Sequence, residues 1–209
     1  MTGTDGRLAR GERTRAAVLD AAVALASRAG LDGLSLGQLA DLLHVSKSGL
    51  FAHWSSKEEL QLAAIEHARE QWARRVVAPA LEHPRGIRRL FALHESRLAF
   101  YSDRVLPGGC FFASAEFEST GRAGAVPDRL AVVLGEWITL LERLVTEAVE
   151  LGELPADVVP RRLAFEIDAA GVAALLHSSL LARSADDARQ AVLARLRGLA
   201  TDPGLLPYE

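Results

Sequence analysis

The sequence predicts an all-α protein of about nine helices, and three observations carry that prediction. Apolar residues recur at three- and four-residue spacing through most of the chain, as in Leu130, Val133, Leu134, Trp137, Ile138, Leu141, Leu144, Val145 and Ala148. No stretch alternates with the period of two that a half-buried strand needs. Start and stop signals punctuate these segments: Gly30, Ser35, Ser46, Ser56, Pro107-Gly108-Gly109 and Gly152. Of the 209 residues, 49% are apolar and 24% charged, the balance of a chain that packs a core. The elements divide into an N-terminal arm and three helices over residues 1–56 and a helical body over residues 57–209. The body's first stretch, residues 57–78, is a long connecting helix.

The arm, residues 1–11, places Arg7 and Arg10 ahead of Arg13 and Arg15. It is either a solubilising tail or an arm that reaches a phosphate or a minor groove. The first helix, Gly11 to Ala29, sets Val18, Ala22, Leu25 and Ala29 on one face, and Gly30 accepts the left-handed conformation that ends it. Ser35 and Gln38 form a capping box for a second helix, whose Leu36, Leu39, Ala40 and Leu43 turn inward. His44 and Val45 make a tight turn. Ser46 caps a third helix, Lys47 to about Trp54, with Leu50 and Trp54 toward the core.

Two short helices joined by a tight turn are a helix-turn-helix, the unit that lays its second helix in a major groove of DNA. The residues left facing outward are Lys47, Ser48, Gly49, Phe51 and His53. Their chemistry suits a groove: Lys reaches guanine O6/N7 or a phosphate, Ser bonds either, and Gly lets the backbone approach. Ser56 and Glu59 form a second capping box at the start of the connecting helix, where free amides and Lys57 together would hold a phosphate. Lys47 and Lys57 are the only two lysines, and both fall in this stretch. Residues 1–57 carry a net charge of +2 and the remainder −5, a basic end on an acidic body, as in a protein that touches a polyanion with one end. The expected DNA-reading set is Arg13, Ser35, Ser46, Lys47, Ser48, Gly49, Phe51, His53 and Lys57.

Arg13 to Leu60 resembles the N-terminal domain of TetR-family transcriptional regulators. The matching features are the Ala-rich first helix ending at Gly30, then Leu34-Ser35 and Leu39-Ala40. After them come Val45-Ser46-Lys47-Ser48-Gly49-Leu50-Phe51-Ala52-His53-Trp54 and Lys57-Glu58-Glu59-Leu60. Three positions depart from the family's usual pattern. His44 stands where Gly is frequent, so the turn is expected to carry slight strain. Phe51 replaces a common Tyr and lacks its hydroxyl, and Gly37 leaves no polar side chain at a second-helix position that often contacts DNA. The resemblance implies a three-helix DNA-binding domain joined by the long helix to a C-terminal ligand-binding and dimerisation bundle. It also implies that the tilt of that helix sets the spacing of two DNA heads in a dimer.

In the body, the connecting helix reads as ending near Pro79. The next helix, about Arg85 to Arg104, carries Leu90, Phe91, His94, Leu98 and Tyr101 on one face. His94 is either satisfied in the core by a carbonyl or water, or a pocket group that bonds a ligand. A short helix from Cys110 to about Glu118 holds Phe111, Phe112 and Phe117. Residues 121–127 read as a loop, Asp128 to Leu151 as a strongly amphipathic helix, and Asp157 as the cap of a helix from Val158 to Ala182. That helix is apolar all round from Ala169 to Leu176, so it needs cover on every side, which a second subunit would supply. The last helix, Ala185 to about Leu199, precedes a tail expected to fray from Thr201. With the family's effector pocket placed between body helices, its expected lining is Phe91, His94, Leu98, Cys110, Phe111 and Trp137. With two helices per subunit making a four-helix interface, the expected contacts are Gly171, Leu175, Leu176, Ser179, Val192 and Leu196.

Other classes lack their signatures. There is no Gly-rich phosphate loop after a strand and no His/Cys cluster at metal-ligand spacing. Ser178-Ser179 beside His177 lacks a nucleophile elbow, so no enzyme, metal or cofactor is expected. One cysteine, Cys110, fits a reducing compartment, and the polar N-terminus lacks a signal core. No run reaches the roughly 18 apolar residues of a membrane span. The expectation is a cytoplasmic, homodimeric, sequence-specific DNA-binding regulator with a palindromic operator. It acts as a repressor released by a small, fairly apolar effector of unknown identity. The alternatives are an effector-independent or activating DNA binder and, from another class, a protein-interaction or small-molecule carrier module.

Overall fold

The computed structural model describes residues 3–207, with side chains over residues 11–207. Among the described residues there is no strand. The α-helices are α1 (Gly3–Ala29), α2 (Leu36–Leu43), α3 (Lys47–Phe51), α4 (Lys57–Trp72), α5 (Ala78–Leu81), α6 (Ile87–Ser102), α7 (Phe111–Ser119), α8 (Ala125–Glu150), α9 (Pro160–Leu181) and α10 (Asp186–Leu199). A π-helical turn, Ala73–Val77, joins α4 to α5, and a 3₁₀ turn, Pro203–Leu205, follows α10. With the unbroken run from Lys57 to Leu81 taken as one helix, the described residues hold nine.

These helices pack as two units. One takes in the chain to Glu70 together with Leu106–Ala131; the other takes in Gln71–Val105 and the chain from Val132 on. This grouping differs from a linear split after residue 56. The reason is that α7, although distant in sequence, packs on α1.

The first unit is built around α1. Its Val18, Ala22, Val23 and Ala26 are buried, as are Leu36, Leu39 and Ala40 of α2, Leu50, Trp54, and Leu60, Ala64, Ile65 and Ala68 of α4. Cys110, Phe111 and Ala115 close the core from the α7 segment. Close approach of that segment depends on Gly108, where any side chain would run into the Ser27 carbonyl. The Gly108 amide donates to Ser27 Oγ at 3.0 Å, and Ser114 Oγ donates to the Ser27 carbonyl at 2.9 Å. Farther along, Arg129 grips Glu66 through both carboxylate oxygens. The expected arm is helical from Gly3, with residues 1 and 2 outside the described part. No proline interrupts that stretch, and extending an existing helix adds a hydrogen bond for each residue fixed.

The second unit centres on α6, which buries Ile87, Leu90, Phe91, Leu93, His94, Arg97, Leu98, Phe100 and Tyr101. The helix expected to stop near Pro79 continues to Leu81. The Ala78 amide bonds back five residues to Ala73, so the missing donor at Pro79 falls where the helical register has already shifted. Two starts also differ from expectation. α8 begins at Ala125, inside the predicted loop, with Pro127 in its first turn. α9 is opened by Pro160 after Val159, and Asp157 does not cap it. The tail is anchored where fraying was expected. The Thr201 amide donates to the Glu153 carbonyl at 3.0 Å, the Thr201 hydroxyl to the Gly152 carbonyl at 2.7 Å, and Leu206 is buried.

Four residues expected at a subunit interface, Gly171, Leu175, Val192 and Leu196, lie in the core of this unit. α9 packs against both α6 and α10, so its stripe through 171 and 175 faces its own neighbours. Leu176 and Ser179 of the same expected set are exposed. The exposed face of α9 is nonetheless apolar, with Phe165 at 70% and Leu180 at 79% accessibility, together with Ala169 and Leu176. By length and composition α9 is also apolar enough to cross a membrane, with 33% of its most apolar window buried.

Candidate nucleic-acid interface

The helix-turn-helix forms as its sequence dictates, cap by cap. Ser35 Oγ accepts from the Gln38 amide at 3.1 Å and its hydroxyl meets Gln38 Oε1 at 3.1 Å, closing the first box through side chains. His44 ends α2 in the left-handed conformation, φ 53° and ψ 39°, the strained position expected for a turn that favours Gly. Ser46 Oγ accepts from the Gly49 amide at 3.1 Å and starts α3, which ends at Phe51, shorter than the expected run to Trp54. Leu50 and Trp54 are buried, as the pattern required, and the Arg15 guanidinium lies 5.3 Å from the Trp54 ring centroid. This contact ties α1 to the end of the motif.

What remains outside is a compact set. Lys47, Ser48, Gly49 and Phe51 are exposed, Phe51 at 54%. The Lys47 side chain extends over Gly37, within ordinary contact distance: a methyl there would sit 3.7 Å from Nζ. Arg13 is exposed beside an open depression of about 340 Å³ lined with Thr14, Ala17, Val18, Leu43 and Val45. His53 is half-buried with its ring against Trp54.

Four members of the predicted set already have hydrogen-bond partners inside the protein, Ser48 among them through its hydroxyl, which donates to Ser46 Oγ at 3.4 Å. The Ser35 and Ser46 hydroxyls cap their helices, and Lys57 Nζ donates to the Asp32 carbonyl at 2.5 Å. The second capping box also differs. Ser56 Oγ accepts from the Glu59 amide, but the Glu59 carboxylate turns to the amide and hydroxyl of Ser55 at 2.7 and 2.8 Å. Those two hydrogen bonds hold the Glu59 carboxyl below its usual pKa.

Residues 86–194 match the family described as "Tetracyclin repressor-like, C-terminal domain", and residues 18–64 match "Bacterial regulatory proteins, tetR family". The first match alone covers more than half of the chain. This chain belongs to the TetR family. It is a DNA-binding transcriptional regulator of that family. It is 41% identical over 59 residues to the DNA-binding transcriptional repressor TetR of Mycobacteroides abscessus, a match spanning 28% of this chain and 31% of that protein. A TetR transcriptional regulator from Chloroflexus aurantiacus superposes with a TM-score of 0.83 at 25% identity, covering 91% of this chain and 98% of that one. AibR, solved in complex with isovaleryl coenzyme A and operator DNA, shares the fold. Its TM-score is 0.66 at 18% identity, over 88% of this chain and 96% of that one.

In this TetR-family chain the six residues expected to line an effector pocket are divided. Cys110 and Phe111 belong to the first unit and are buried there; Phe91, His94, Leu98 and Trp137 belong to the second. Beside the latter four lies a polar cluster that the sequence pattern did not single out. Arg97, buried in α6, donates through Nε to Tyr101 Oη at 2.7 Å and through a terminal nitrogen to Asp168 Oδ1 at 2.9 Å. Trp137 Nε1 donates to the same carboxylate oxygen at 2.8 Å, and the guanidinium lies 5.4 Å from the Trp137 ring centroid. Trp72 packs edge-on against Phe100 and Trp137. Gly171 makes room for all this, since a side chain there would overlap the Arg97 guanidinium. The signals in the sequence were an arginine three residues after His94, on the buried stripe, and an acid, Asp168, immediately before the apolar run of α9.

His94 resolves toward the core alternative in one half of its ring only. Nε2 sits 3.3 Å from the Ala188 carbonyl, while the buried Nδ1 has no partner. Burial, with the nearby Arg97 charge adding to it, pushes its pKa down to about 4, against a partial rise from the Ala188 bond. The ring is therefore neutral near pH 7, with Nε2–H donating and Nδ1 left as an acceptor.

Proposed function

We propose that this protein is a homodimeric repressor that holds a palindromic operator and releases it when a small, fairly apolar effector binds. The observation that carries the DNA-binding part is the outward face of α3. Lys47, Ser48, Gly49 and Phe51 stand exposed on a helix whose Leu50 side is locked into the core. That is a short, rigid surface with one cation, one hydroxyl, one bare backbone position and one apolar ring, the contacts that read base edges in a major groove. Arg13 and His53 flank it, and Lys57 serves a phosphate only after exchanging its internal carbonyl partner.

The dimer reading rests on α9. Phe165, Ala169, Leu176 and Leu180 form a continuous apolar face at helical spacing, and a second copy covers such a face. This replaces the buried part of the interface first expected, keeps Leu176 and Ser179, and accounts for the apolar length of α9 without a membrane. The effector reading rests on Phe91, His94, Leu98 and Trp137 around the Arg97–Asp168 pair, with the bare Nδ1 of His94 as an acceptor for a ligand hydroxyl or amide. A protein of this kind works in the cytoplasm, where the operator is.

Selection of bound sequences from random duplex DNA tests the proposal. It is expected to enrich a palindrome, and Lys47→Ala is expected to lower operator affinity about tenfold with little change in stability. Recovery of no palindrome, or parental affinity in Lys47→Ala, overturns the reading of α3. Leu180→Asp is expected to shift the protein to monomer in light scattering; an unchanged dimer overturns the reading of α9.

A further inference from the structure

Two consecutive amides of the loop that feeds the helix-turn-helix are held by a single distant carboxylate. Leu31 and Asp32 lie between α1 and α2. Their two amides donate to Glu118 of α7, Leu31 to Oε2 at 2.6 Å and Asp32 to Oε1 at 2.8 Å. Their two carbonyls are taken from the other side by α4: Gln61 Nε2 donates to Leu31 O at 2.8 Å and Lys57 Nζ to Asp32 O at 2.5 Å. The Asp32 carboxylate is bonded by Arg122, just beyond α7, and that guanidinium holds its pKa below the usual range. All four backbone polar groups of two consecutive residues are thus occupied by side chains from α4 and α7. Gly30 completes the fit. With φ at 73° and no side chain, it leaves the space that the Glu118 carboxylate fills.

We propose that Glu118 is a positioning residue for DNA reading: its carboxylate fixes the entry of α2, and with it α3, against α4 and α7. Hydrogen bonds from two adjacent amides to one carboxylate are charge-assisted and directional, so they define the direction in which the chain enters α2 as well as its location. The same junction places Lys57. Its ammonium is held on the Asp32 carbonyl, in the peptide next to the Leu31–Asp32 peptide whose amide Glu118 accepts and whose carbonyl Gln61 holds. Glu118 therefore acts on operator affinity through the α1–α2 loop.

Simple electrostatics predicts the opposite sign, which makes the proposal testable. Removing a negative charge from a DNA-binding head by charge effects alone strengthens binding to every duplex. Glu118→Gln, in the full-length protein, is expected to weaken binding to the selected operator about tenfold, the scale of one charge-assisted hydrogen bond. Affinity for unrelated duplex is expected to stay within about twofold of the parent, with an unchanged salt slope. The amide proton resonances of Leu31 and Asp32 are expected to move upfield as the carboxylate acceptor is lost, while the α3 amides stay dispersed. Glu118→Asp, whose shorter side chain reaches one amide, is expected to fall between the two, and it is read the same way if Glu118→Gln does not fold. Operator affinity at or above the parent's overturns the proposal. So does a loss shared equally by unrelated duplex.

Discussion

Lys47 on α3 and Arg97 on α6 are both cations on helical scaffolds, yet they occupy opposite environments. Lys47 is exposed above Gly37. Arg97 is 6% exposed, fixed by Asp168 and Tyr101 and walled by Trp137. An exposed cation adds almost nothing to folding and is available to a polyanion. A buried one is stable only while its partners stay in place, because the desolvated charge has no substitute for them. Lys47 thus stays open to solvent, whereas Arg97 fixes the interior of the second unit.

Arg97→Met tests that contrast most strongly. It leaves the Asp168 carboxylate and the Tyr101 hydroxyl without their cation, and is expected to lower stability by about 3 kcal/mol in urea unfolding. The corresponding change at the other site, Lys47→Met, is expected to stay within about 0.5 kcal/mol. Equal effects would erase the distinction between the two cations.

His94 gives an effect of similar or smaller size with a defined pH signature. Its folded pKa, about 4, lies below the ordinary 6.5, so the unfolded chain takes up the proton first. The stability it allows is fully present above pH 6.5 and is lost as pH falls toward 4, by on the order of 3 kcal/mol at most. Denaturation midpoints measured across that window are expected to fall with pH in the parent and to flatten in His94→Leu. A smaller effect is expected at the α3 cap. Ser46→Ala removes the α3 cap and is expected to cost about 1 kcal/mol, with operator affinity falling further than that through loss of α3 order.

Sequence alone located nearly every helix, because periodic apolar residues and caps act locally. Ser35, Ser46, Leu50 and Trp54 stand where spacing put them, and His44 adopts the left-handed turn expected of it. Periodicity shows that a residue is covered but not by what. Gly171, Leu175, Val192 and Leu196 have the spacing of an interface and are covered by their own chain. The Arg97–Asp168 pair and the Glu118 clamp link residues 71 and 87 positions apart, a distance over which no local pattern carries information. Lys57 shows the same limit from the other side. Its place at a helix start reads as a phosphate anchor, and only the fold reveals the carbonyl it already holds.

The separation between Leu31 and Glu118 also has a consequence in time. During synthesis at about 5–20 residues per second, α1 and α2 leave the ribosome roughly 4–17 s before the carboxylate that completes their loop. Over that interval the newborn helix-turn-helix has its caps but lacks its distant brace. A reporter fused after α3, or a stalled transcript ending there, would display the motif's sequence without its finished geometry. The segment from Leu106 to Ala131 is thus as much a part of the head's maturation as the helices that precede it.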